Sequence, residues 1–138
     1  MLTNHAQVHS GLAAAAGAGT TAVNSLIIDT ANAEGVMFIV RLGTSAANNT
    51  VKAQQNSVNS ASGMADLEGS SVVSGANNLV VLDIKRPRER YVRVEVTRGT
   101  STTVDSITAI TYDLRKPGID QPAGVSIEKW VSPAEGTA

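Results

Sequence analysis

Residues 79–99, Leu-Val-Val-Leu-Asp-Ile-Lys-Arg-Pro-Arg-Glu-Arg-Tyr-Val-Arg-Val-Glu-Val-Thr-Arg-Gly, constrain the fold of this chain more than any other stretch. Val80, Leu82 and Ile84 fall on one face, and Val92, Val94 and Val96 do the same after a short basic corner. Arg93, Glu95 and Thr97 take the opposite face. Successive side chains of a strand point to opposite sides of the sheet, so this period of two specifies half-buried antiparallel strands. Pro87 suits the corner, where no ladder N–H is asked of it.

At 138 residues the chain suits one domain with a real core. Its aromatics are only one Phe, one Trp and two Tyr, so the core has to be built from Val, Ile and Leu. Such a core is thin, because each aromatic normally buries a large area. Supplementary stability is therefore expected from assembly, as a homo-oligomer (dimer or trimer) or with a partner. Cysteine is absent, which excludes disulfides and thiolate metal sites. The N-terminus lacks the basic start of a secretory signal, and the Leu12–Ala16 run is too short for its apolar core. No run approaches a membrane span. The expected setting is a reducing cytoplasm.

Along the chain, residues 1–22 are rich in Ala and Gly, and Gly11, Gly17 and Gly19 interrupt any helix; they read as a flexible N-terminal arm. Strands are expected at Leu26–Asp29, Val36–Leu42 and Thr50–Gln55, the last a polar strand placed at an edge. Short candidates follow at Met64–Leu67 and Ser71–Ser74, with a turn at Gly75–Asn78. Val104–Leu114 reads as a long strand with Ile110, Tyr112 and Leu114 on one face, and Val125–Val131 as a final short strand carrying Trp130. The organisation expected is an arm at 1–22, a β-sandwich at 23–131 and a flexible tail at 132–138. About eight strands separated by regular turn signals indicate an all-β antiparallel sandwich, and eight is the jelly-roll number.

Candidate chemistry fails on inspection. Gly17-Ala-Gly-Thr-Thr-Ala22 imitates a dinucleotide fingerprint, but no apolar strand precedes it and Asp29 lies too near to serve a ribose. His5 and His9 have helical i, i+4 spacing without an intervening Glu or an evident third ligand. With both histidines in the expected arm, a Ser-His-Asp triad lacks its fixed base. Asp66 and Glu68 share a strand face but read as solvated acids, and Asn48-Asn49-Thr50 matches a glycosylation acceptor that needs a secretory route. No catalytic residue, cofactor site or metal site is assigned. Charge is the remaining signal: Lys85, Arg86, Arg88, Arg90, Arg93 and Arg98 against Glu89 and Glu95 give a local +4, leaving about −5 elsewhere in a chain of net −1. Intramolecular partners for these bases could be Asp83, Asp105 and Asp113.

Three segments carry a resemblance: Glu34-Gly-Val-Met-Phe-Ile-Val-Arg-Leu-Gly43, Val51-Lys-Ala-Gln-Gln55 and Leu82-Asp-Ile-Lys-Arg-Pro-Arg-Glu-Arg-Tyr-Val-Arg93. With Val96–Thr100 and Val131–Ala138, the chain over roughly residues 24–138 resembles small structural proteins of tailed bacteriophages, similar in character to capsid decoration or cement proteins. The resemblance implies a β-sandwich, often a jelly roll, made in the host bacterial cytoplasm and bound to the outer surface of the virion shell. Its partner would be the major capsid protein, and it brings no cofactor or catalytic residues. Within that reading, Arg86, Arg88 and Arg90, with Tyr91 beside them, are the expected partner contacts, since Arg suits bidentate carboxylate recognition. A tail or baseplate module binding host glycan is the alternative, resting on Tyr91, Tyr112 and Trp130. A nucleic-acid module ranks third, because only Tyr91 interleaves with the arginines.

Overall fold

The computed structural model describes residues 1–45, 48–74, 78–129, 131 and 135. Residues 75–77 of the expected turn, Trp130, and tail residues 132–134 and 136–138 lie outside the described residues. A 3-10 turn at Leu2–Asn4 precedes eleven strands among the described residues. These are β1 (Ala6–Ser10), β2 (Ala16–Gly19), β3 (Val23–Asn24), β4 (Ile28–Asp29), β5 (Ala33–Leu42), β6 (Thr50–Asn56), β7 (Ala65–Asp66), β8 (Val72–Val73), β9 (Leu79–Lys85), β10 (Tyr91–Thr97) and β11 (Thr102–Leu114).

The strands form two antiparallel sheets, one in the order β1-β11-β5-β9 with β2 also on β11, the other β3-β10-β6-β7 with β4 on β10 and β8 on β6. Three edges are each built from two short pieces. β1 and β2 follow one another along β11, β3 and β4 along β10, and β7 and β8 along β6. Eleven strands thus fill eight positions, ordered 1-8-3-6 in one sheet and 2-7-4-5 in the other. That is the two-sheet order of a jelly roll, as the strand count anticipates.

Alternation decides which side chains meet between the sheets. Val36, Phe38, Val40 and Leu42 of β5 and Val80 and Leu82 of β9 face Val51 and Ala53 of β6 and Val92, Val94 and Val96 of β10, all buried. The two strands of the 79–99 segment therefore belong to opposite sheets, and the basic corner is an arch across the end of the sandwich.

Four expectations change. Residues 1–22 are no free arm: β1 pairs with β11 from Ala6↔Tyr112 to Ser10↔Thr108, and β2 continues along it. Gly11 admits a close neighbour there, since a Cβ on it would sit 2.9 Å from the Ile107 carbonyl oxygen. The polar strand β6 is interior, between β10 and β7/β8, because Lys52 and Gln54 face outward and bond across the sheet. There Lys52 reaches Asp66 and Glu95, and Gln54 reaches Asp66 and Arg93.

On β11 a bulge between Val104 and Ser106 reverses the parity of everything after it. Ile107, Ala109 and Thr111 consequently face the core, and Ile110 and Tyr112 do not; Leu114, after Asp113 at φ 51°, is buried. Lastly, residues 125–129 and 131 form no strand.

Opposite the basic corner, fully buried Asn49 closes the sandwich. Its Oδ1 accepts from the Gly99 N–H and the Thr102 hydroxyl, each at 2.8 Å, and its Nδ2 donates to Ser45 Oγ at 2.9 Å. No helix among the described residues is long and apolar enough to cross a membrane.

Candidate functional site

The arch from Arg86 to Arg90 leaves β9 with Arg86 in the left-handed region at φ 53°. A side chain there costs on the order of 1 kcal/mol, so the conformation has to be held from outside. Glu34, just inside β5, holds it twice: its carbonyl oxygen accepts the Arg86 N–H at 2.6 Å, and its carboxylate lies 3.4 Å from Arg86 Nε. The same carboxylate accepts from Arg115 Nε at 3.0 Å, bringing the end of β11 to this corner.

Arg90 is also spoken for. It donates from Nε and Nη2 to both oxygens of Asp29, at 2.8 and 2.7 Å, and its guanidinium lies 5.1 Å from the Tyr91 ring centroid. This bidentate bond is the main reason the Asp29 carboxyl sits below the usual carboxylate range, with the Ala31 N–H adding to it against some desolvation. The Arg90 carbonyl further accepts from the Thr30 N–H and hydroxyl, at 2.9 and 2.8 Å. Arg90 and Tyr91 therefore build the corner.

Arg88 and Lys85 are different. Neither side chain makes a hydrogen bond or ion pair among the described residues, and both line a cleft. Two clefts flank the arch. The one of about 390 Å³ runs between Thr30–Glu34 and Arg115, its wall carrying Arg86, Arg88, Arg90 and Arg115 against Glu34 and Glu89. The other, about 480 Å³, opens between β9 and β7, with Leu67 and Ile84 among Asp66, Glu68, Lys85, Arg86 and Arg88. The first is net cationic and open, suited to entering carboxylates; the second has an apolar floor with charges of both signs.

The structure thus gathers Arg86, Arg88, Arg90 and Tyr91 at one corner but leaves one of the three arginines, Arg88, uncommitted. The sequence reading missed Asp29, Glu34 and Arg115, which chain folding carries to the corner from β4, β5 and the segment just after β11. It named instead Asp83, which accepts from Tyr112, and Asp105, which lies 4.0 Å from Arg41.

Other candidates have structural partners. His9 lies in β1 with Nε2 3.0 Å from Thr111 Oγ1, and burial pushes its pKa down. Asp66 is bound by Lys52 and Gln54, chiefly Lys52, which holds its carboxyl below the ordinary range. Among the described residues no group of three or more His, Asp or Glu side chains is placed to hold a metal ion. No protein-family model and no curated protein matches the chain.

Proposed function

We propose that this chain is a non-enzymatic virion structural protein that binds the outside of a tailed-phage capsid and stabilises contacts between major capsid protein subunits. The observation that carries the reading is the arch itself, an exposed cationic corner with Arg88 and Lys85 uncommitted and clefts on both sides. The resemblance over residues 24–138 and the jelly roll that it implies support the same reading.

The physical role follows from linkage. A protein that binds only the assembled shell lowers its free energy by mass action, and several weak contacts from one assembly add through effective concentration. The corner's part is to offer Arg88, with Lys85, to carboxylates on the shell, while Glu34 and Asp29 hold the arch in shape.

Binding to isolated capsids, by co-sedimentation and cryo-electron microscopy, tests this. The wild-type chain is expected as regular density on the outer surface. Arg88→Glu with Lys85→Glu is expected to weaken occupancy roughly 10–100-fold, the loss of one or two charge-assisted contacts, with an unchanged melting temperature. Absence of density on the shell refutes the function; full occupancy by the double variant refutes the corner's role alone.

A further inference from the structure

Three of the four sheet edges are blunted. The edges made of β3/β4 and β7/β8 consist of two-residue pieces. Gln121 caps β1: its Oε1 accepts the Val8 N–H at 2.8 Å, and its Nε2 donates to the Ala6 and Thr3 carbonyls at 3.0 and 3.4 Å. The fourth edge, β9, is seven residues long and unbroken.

Its parity can be read from the bonds that bracket it. Leu42 N–H donates to the Asn78 carbonyl and Arg86 N–H to the Glu34 carbonyl, in the register that pairs Gly35 with Lys85. Val80, Leu82 and Ile84 therefore bond to β5, while the N–H and C=O groups of Leu79, Val81, Asp83 and Lys85 point away from it. Leu79 and Val81 are also 55% and 49% exposed, so among the described residues this edge is both unpaired and apolar along half its length. Long edges of this kind are templates for another strand.

The same chain carries a segment with strand patterning and, among the described residues, no strand partner. Val125 and Ile127 alternate with Ser126 and Glu128, yet residues 125–129 lie in no sheet, and Ile127 is exposed. We propose that the β9 edge takes up residues 125–129 of a second copy as an added parallel strand.

The register is set by side chains: Val125 faces Leu79, Ile127 faces Val81, and Lys129 faces Asp83, two apolar pairs and one ion pair. Antiparallel pairing that keeps Asp83 opposite Lys129 sets Ile127 against Lys85 and Pro133 against Leu79, and proline has no N–H to donate. The donor is a second copy because Gln121 is tied to β1. Four residues from Gln121 to Val125 span at most about 14 Å. A strand outside β9 lies four strand spacings from β1, about 19 Å.

The chain has no cysteine, which permits a direct test. Separately purified Val81→Cys and Ile127→Cys chains are mixed and oxidised. The cross-linked heterodimer is expected to dominate over both homodimers. In sedimentation, Asp83→Lys and Lys129→Asp are each expected to weaken self-association by about tenfold, and the double reversal to restore it. Val81→Pro removes a donor that β5 does not use, so it is expected to abolish association without unfolding the chain. Tyr112→Phe and Asn4→Ala, which remove only the other partners of Asp83 and Lys129, are expected to leave association unchanged. A chain monomeric up to millimolar concentration, homodimers as abundant as the heterodimer, or a double reversal that fails to restore association would overturn the proposal.

Discussion

Gly35 lets one side chain span three strands. It stands directly opposite Tyr112 in the β5–β11 register, and a Cβ there would overlap the Tyr112 ring. The ring crosses β5 over that gap, and the hydroxyl donates to Asp83 Oδ1 on β9 at 2.6 Å. Gly35→Ala is therefore expected to destabilise the fold by about 1–3 kcal/mol through forced repacking, measured by denaturant titration. Tyr112→Phe keeps the ring and is expected to cost about 1 kcal/mol. Burial first, and the Asp83 carboxylate second, push the Tyr112 pKa up to about 12. The folded state then holds this proton more tightly than the unfolded state, whose phenol titrates near 10. The stabilisation is thus fully present below about pH 10 and lost as pH rises toward 12. The melting-temperature gap between wild type and Tyr112→Phe should stay constant up to about pH 10 and then shrink; a gap that widens above pH 10 contradicts the assignment.

At the scale of elements, the edges decide how β2 is held. Arg98, at the end of β10, donates from Nε to the Thr21 carbonyl and from Nη1 to the Gly17 carbonyl, both at 2.6 Å, and to the Thr102 carbonyl at 3.0 Å. Gly19 gives it room, since a Cβ there would lie 3.0 Å from Nη2. Arg98→Met, which keeps much of the stem, is expected to cost about 1–2 kcal/mol. It should also speed amide hydrogen exchange in residues 16–22 while β5 and β11 stay protected. Equal exchange in both proteins would mean that the ladder to β11 alone holds β2. This anchoring explains why residues 1–22 were illegible in the sequence. Glycine reads there as chain-breaking, and nothing local reveals that Ile107 and Arg98 will approach Gly11 and Gly19 from 96 and 79 residues away. The inner strands were legible because Val36–Leu42 and Val92–Val96 carry their burial in their own period. On β11 the period was visible but its phase was not, since one extra residue at the bulge exchanges the two faces. The corner's charge was equally plain in the sequence. Its partial pairing was not, because Glu34 and Asp29 reach it, and Arg115 joins it, only through the two-sheet topology.

For the whole molecule the governing fact is closure. The first strand position pairs with the last, β1 beside β11, and β11 also carries β5 on its other side. Neither sheet is built by hairpins alone: β9 sits against β5, and β10 against β6, with long stretches of chain between them. Local pairing consequently brings little stability before the distant strands meet, and loop-closure entropy opposes each such meeting. The core that rewards closure draws on both sheets together, with Phe38 among eight buried valines, so neither sheet has a core without the other. Folding should then be cooperative and slow for a chain of this length. Stopped-flow refolding of a self-association-deficient chain such as Val81→Pro is expected to be single-exponential, with a time constant between about 1 ms and 1 s. Far-ultraviolet circular dichroism and tyrosine absorbance should report the same rate. Phe38→Ala, expected to cost about 3–5 kcal/mol, should slow refolding and speed unfolding together if the two sheets already touch in the transition state. A sub-millisecond phase that forms most of the strand signal, with Phe38→Ala acting on unfolding alone, would instead mean that each sheet assembles first and the sandwich closes afterwards.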